Sequence, residues 1–185
     1  MFDFLVQNGE DVMVAVLLAS FPTAIAALFV LDRARKHWQH KLVTVSDPQA
    51  VRRARRLVSK RKTADGYALL SLSEFFDENH DRGSIAPNLS GWRTPSLSRF
   101  AATLNAVALE PTVQWVLVEA SNDSLPTEWP VSEAVYIVAS APLDIVRRWL
   151  TPLCPSDIVV GTWHGKALPF PELASDHTTY CAWWD

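Results

Sequence analysis

The chain has 185 residues, with 17 Lys or Arg against 20 Asp or Glu, two Cys, eight Trp and a hydrophobic fraction of 49%. That length suits one ordinary domain plus an appendage. Twelve Pro against six Gly exclude a collagen-like or low-complexity chain, abundant large apolar residues exclude global disorder, and two Cys cannot form a disulfide scaffold.

The net charge of −3 hides a strong segregation. Residues 1–31 carry three carboxylates (Asp3, Glu10, Asp11) and no Lys or Arg. Residues 32–62 carry eleven basic residues against Asp32 and Asp47, and residues 63–185 carry six basic against fifteen acidic. Blocks this asymmetric imply different surroundings for each.

From Val12 to Leu31 run twenty residues without a charge, eleven of them Val, Leu, Ile or Phe. As a helix they span about 30 Å, the thickness of a bilayer's hydrocarbon core. Pro22 is tolerated in such a helix. The flanks argue against a cleaved signal peptide, because the positive charge follows the apolar run and the residues before it are acidic. The positive-inside rule then gives a short extracytoplasmic tail (1–11), a transmembrane helix (12–31), a basic juxtamembrane linker and helix (32–66) and a domain (67–185). The expected location is the inner membrane, single-pass, with the carboxy-terminal domain cytoplasmic. A hydrophobic helix docked in a soluble complex is the competing reading.

Arg33, Arg35, Lys36 and Trp38 fall where lipid headgroups favour cations and indoles. Ser46-Asp47-Pro48 signals a helix start. The helix that follows places Val51, Ala54, Leu57 and Val58 on one face, with Arg52, Arg53, Arg55 and Arg56 around it. Such a basic amphipathic helix is attracted to anionic lipid by about 1 kcal/mol per near-surface charge. Nucleic-acid binding and a plain solvated tether are its rivals; the expectation is lipid and no nucleic acid.

Downstream, Tyr67–Leu72 reads as a strand, and residues 96–108 carry helical apolar spacing ahead of Pro111. Strands follow at 113–118 and 134–139, a helix begins near Pro142, and strands at 158–163 and 178–183 end the domain. That order predicts an α+β fold, a ferredoxin-like (split β-α-β) antiparallel sheet with two helices on one face. The other face is left for a partner or for the anchor-side helix.

Asp77, Asn79 and Asp81 alternate like the ligands of a calcium loop. However, Gly83 falls one place late and Asn88 occupies the position of the bidentate Glu. The spacing therefore predicts a loop whose side chains cap its own backbone, with no metal site and no cofactor. The scattered histidines, two Cys read as partly buried thiols, and the absence of GxSxG, P-loop and GxGxxG motifs point away from the common catalytic classes. Acidic loops with aromatics beside prolines suit a protein partner with a basic surface: Asp77, Glu78, Asp81, Asp123 and Glu128, with Trp92 and Trp129 as anchors.

The run F-F-x-x-N-x-x-x-G-S-I-x-x-N-L from Phe75 to Leu89, the WP…VYIVAS and W-L-x-P-L-x-P segments and the closing WWD resemble a group of small uncharacterised bacterial proteins, some of them like immunity proteins against secreted toxins. The resemblance covers about Leu69–Asp185 and carries no catalytic motif. It does not reach the apolar segment, and it implies a bacterial origin and a binding role. With the negative charge, the aromatic candidates and the lack of a catalytic constellation, the expectation is a membrane-anchored domain that binds a protein, an immunity protein neutralising a toxin by occlusion. The alternatives are an accessory subunit or assembly factor of a membrane complex, whose apolar helix packs on others through Ala24, Ala26 and Ala27, and a metal-dependent enzyme using the Asp77–Asp81 loop.

Overall fold

The computed structural model describes residues 46–89, 94–162 and 168–185. The 12–31 segment, Arg33, Arg35, Lys36, Trp38 and Trp92 lie outside that set, and within it no helix is long and apolar enough to cross a membrane.

The first helix, α1 (Pro48–Arg61), starts where the sequence places it. The Asp47 carboxylate accepts hydrogen bonds from the backbone N–H groups of Gln49 (3.1 Å) and Ala50 (3.3 Å), and Pro48 needs no partner in the first turn. Its buried residues are Ala50, Val51, Ala54 and Val58, all part of the main core beneath the sheet. The apolar stripe that suggested an interfacial membrane helix is therefore covered by the domain itself, and lipid cannot also take it.

Strand β1 (Ala68–Ser71) leads directly into the short helix α2 (Leu72–Phe76) through a capping box. The Ser71 hydroxyl accepts from the Glu74 N–H, and the Glu74 carboxylate accepts from the Ser71 N–H. Partial burial pushes the Glu74 carboxyl upward. The hydrogen bonds from Arg61 and Ser71 outweigh it and hold the group below its usual value. Helix α3 (Leu97–Ala108), β2 (Val113–Ser121), β3 (Val131–Ala139), α4 (Leu143–Leu150), a 3-10 turn (Thr151–Leu153), β4 (Asp157–Val160) and β5 (Thr178–Trp183) follow.

The five strands form an antiparallel sheet in the order β1-β2-β3-β5-β4. This confirms the α+β class and corrects the ferredoxin-like order. Only the second half, β3-α4-β4 with β5 between parallel strands, is a split β-α-β unit. In the first half, the loop after α2 carries the chain back to the end of the sheet where β1 began. There the Ser132 N–H donates to Ser84 O (2.7 Å) and the Ala86 N–H to Ser132 O (2.8 Å). Helix α3 then crosses the sheet again, so β2 enters from the opposite end and pairs antiparallel with β1.

Three helices rather than two cover one face, with Leu70, Val116, Val118, Val135, Ile137 and Tyr180 meeting Val58, Phe100, Leu104, Val146 and Leu150. Trp184 closes this core, its Nε1–H donating to Leu153 O (2.8 Å) and its ring set edge-on to Phe100. The second face is not left open. Leu69, Leu117, Ala134, Tyr136 and Cys181 are packed by Leu168 and Phe170, and the Gln114 side chain clamps Glu172 O and the Ala174 N–H at 3.0 Å each. With both faces covered, β3 reads as an apolar run rather than an alternation.

Arg55 ties α1 to the β2–β3 loop. Its guanidinium donates to Ser124 Oγ (2.9 Å) and to the carbonyls of Leu125 (3.0 Å), Asn122 (3.0 Å), Glu128 (3.3 Å) and Ser124 (3.4 Å). Arg55→Met is expected to cost about 2–3 kcal/mol in urea unfolding, because charged hydrogen bonds are lost together. Arg55→Lys recovers only part of that, since an ammonium cannot fan across these acceptors. Arg52→Ala, on the exposed side, stays within about 0.5 kcal/mol.

Candidate functional site

The residues expected to meet a partner do not converge. Trp129 is 2% exposed and belongs to the main core, so it cannot act as a surface anchor. Its loop folds inward because Ser124 Oγ donates to Trp129 O (2.8 Å) while Arg55 gathers the neighbouring carbonyls. Glu128 accepts from the Leu125 N–H (3.0 Å) and Asp123 from the Ser121 hydroxyl (2.7 Å), so both carboxylates brace their own loop. Glu78 pairs with Arg53 at 2.8 Å in an exposed ion pair, and Asp77 is exposed. Of the four α1 arginines assigned to headgroups, Arg53 and Arg55 are engaged by the domain, and Arg52 and Arg56 point to solvent.

The 77–84 loop caps itself as its composition predicts. Asn79 is buried; its Nδ2 donates to Phe75 O (3.1 Å) and Ser84 Oγ (2.9 Å), and its Oδ1 accepts from the Asp81 N–H (3.0 Å). The Asp81 carboxylate accepts from the Gly83 N–H (2.9 Å). Asn79 is thus saturated by protein groups, and among the described residues no set of His, Cys, Asp and Glu gathers to hold a metal ion. Cys154, expected to be partly buried, is exposed, and Cys181 is buried. His177 Nδ1 lies 2.8 Å from the Asp176 carboxylate, whose pKa its hydrogen bond lowers.

A different constellation lies on the second face of the sheet. The register aligns Glu119 with Ala134 and Ala134 with Trp183, one residue on each of three adjacent strands. The central residue is the smallest with a Cβ. The Glu119 carboxylate and the Trp183 indole thus stand on strands about 10 Å apart with a gap between them. The result is a cleft of about 200 Å³ lined by Tyr67, Asn88, Glu119, Glu133, Ala134, Trp183, Trp184 and Asp185. Glu119 is 4% exposed and accepts from the Tyr136 hydroxyl at 2.7 Å. At the rim, Glu133 accepts from Asn88 Nδ2 at 3.0 Å. Carboxylates facing an indole across an apolar floor form an environment for a cation of guanidinium or ammonium size.

The sequence model of the Uncharacterized protein YfbO family matches residues 49–182. The chain belongs to that family. No curated protein and no solved structure matches it. The YfbO match runs from the first turn of α1 to Ala182 in β5, so the basic helix lies within the family's shared stretch together with Glu119 and Ala134, and Trp183 falls one residue past its end. The match agrees with the resemblance to small uncharacterised bacterial proteins.

Sequence reasoning missed Glu119 and Glu133. A signal was present: Glu119 is the lone charge in VQWVLVEAS, a segment otherwise built to be buried. Asn79→Ala is expected to destabilise the fold by about 1–3 kcal/mol, because it strips a buried loop of its hydrogen bonds. Thermal melts of that variant, of Asp77→Ala and of the parent should show a lowered midpoint for the first alone, and Ca²⁺ should shift none of them.

Proposed function

We propose that the chain is a protein-binding domain tethered to the inner membrane by residues 12–31, with its folded part on the cytoplasmic side, and that it seats a cationic side chain of its partner between Glu119 and Trp183. The observation that carries this reading is the Glu119–Ala134–Trp183 row. A guanidinium in that gap stacks on the indole, worth about 0.5–2 kcal/mol, and donates charged hydrogen bonds to Glu119 and Glu133. A single buried cation acts as the anchor of a larger interface, around which surrounding contacts exclude water. If the partner is a secreted toxin, seating one of its basic side chains here occludes that surface, which is the immunity role implied by the resemblance.

In the full-length protein labelled with 5-fluorotryptophan, N-acetyl-arginine amide should shift the Trp183 resonance with a Kd of about 1 mM, and N-acetyl-glutamine amide should not. Ala134→Leu fills the gap and Glu119→Gln removes the charge while keeping the Tyr136 bond. Each should weaken the shift by at least about tenfold. Equal shifts with both amides, or unchanged binding in both folded variants, overturn the cleft assignment.

The tether is tested separately. Carbonate washing should leave the intact chain in the membrane pellet, and external protease should spare residues 46–185 in sealed spheroplasts. Extraction, or digestion of that part from outside, overturns the placement.

A further inference from the structure

Charge in the described part of the domain is divided by layer. Helices α1, α2, α3 and α4 carry nine Lys or Arg against Glu74 and Asp144, a net of +7. Outside the helices, the described residues hold fourteen carboxylates against Lys62 and Arg82, a net of −12. The three longer helices all pack on the sheet face opposite the cleft. The domain's cations therefore gather in the helix layer, while the cleft on the opposite face is lined by the carboxylates of Glu119, Glu133 and Asp185.

On α1 the division is sharpest. Arg52, Arg56 and Lys60 recur every four residues, a single exposed row along the helix, and among the described residues none of them meets a carboxylate. The opposite side of the same helix is committed to the core through Val51, Ala54 and Val58. The row can therefore offer charge to a surface but no apolar side chain for insertion.

We infer that the domain rests on an anionic lipid bilayer through the Arg52–Arg56–Lys60 row, with the helix layer against the headgroups and the Glu119–Trp183 cleft turned away from them. This orientation deepens the proposed function and rests on its reading of residues 12–31 as the tether, because it keeps the cleft open to a partner while the chain is held at the membrane. Attraction of the row to the headgroups and repulsion of the cleft's own carboxylates, Glu119, Glu133 and Asp185, act in the same sense. Duplex nucleic acid presents the same phosphate chemistry. The 20-residue uncharged segment ending at Leu31, sixteen residues before α1, favours lipid as the source.

The test uses the full-length chain with Cys154→Ser, reconstituted in vesicles and labelled with a fluorophore at Gln49→Cys on α1 or at Glu172→Cys on the segment over the second face. A nitroxide on the lipid headgroup reports proximity. In phosphatidylcholine–phosphatidylserine vesicles the α1 label should be quenched more than the Glu172 label. The difference should vanish in pure phosphatidylcholine and at about 0.5 M salt, where the Debye length is only ~4 Å. Arg52→Gln, Arg56→Gln and Lys60→Gln should each lower the docked population about fivefold, and together about a hundredfold.

Equal quenching at the two sites, or a difference that persists in neutral lipid, overturns the orientation. So does a short DNA duplex that abolishes the difference at equal phosphate concentration, which assigns the row to nucleic acid. If carbonate strips the protein from neutral vesicles yet it floats with anionic ones through the same three residues, the docking surface stands and the tether falls. Floating with neither overturns both.

Discussion

The apolar stripe of α1 can be buried only once. Val51, Ala54 and Val58 spend it on the underside of the sheet, and Arg55 locks the helix in place by gathering carbonyls of the β2–β3 loop. Helix geometry then decides where the other cations go. With a 3.6-residue repeat, burying positions 51, 54 and 58 turns 52, 56 and 60 outward. A segment that reads in isolation as a linker with membrane affinity is thus a structural member of the domain whose outer side carries the row Arg52, Arg56 and Lys60.

The opposite side of the molecule follows from sheet geometry. Strands that alternate in direction, with a continuous β2–β3 register from Trp115 to Glu119 that shifts only outside that stretch, place Glu119, Ala134 and Trp183 side by side on one face. A larger residue at position 134 would fill the row, as the side chains of Leu117, Tyr136 and Cys181 do one step along. The cleft is thus the consequence of one small side chain between two long ones. Leu168 and Phe170 pack on the same face, Phe170 edge-on against Tyr136 in the neighbouring row.

Local structure was legible wherever a side chain acts on its own backbone. Asp47 with Pro48 and Ser96 mark helix starts, and the Asx turns of the 77–84 loop follow from its composition. The five strands were also readable, because their enrichment in β-branched and aromatic residues is a local property. What decides the topology is not. The return of the chain to Ser132 is made by main-chain bonds of Ser84 and Ala86, which leave no periodic trace, so a second crossing could not be counted and the ferredoxin-like order was inferred instead. The inward turn of Trp129 depends on Arg55, seventy-four residues earlier, and neighbouring prolines made it look exposed. The cleft needed the register of three strands, although the single carboxylate in β2 was visible from the start.

The account stands on α1 being part of the same cooperative unit as the sheet, and native-state hydrogen exchange measures that directly. If the helix shares the core, the amides of Ala54, Leu57 and Val58 exchange only with global unfolding, with the same protection free energy as those of Val118 and Ile137 at the centre of the sheet. If those helix amides exchange orders of magnitude faster than the strands, α1 opens independently as a tether. The outward cationic row and the orientation built on it then lose their basis.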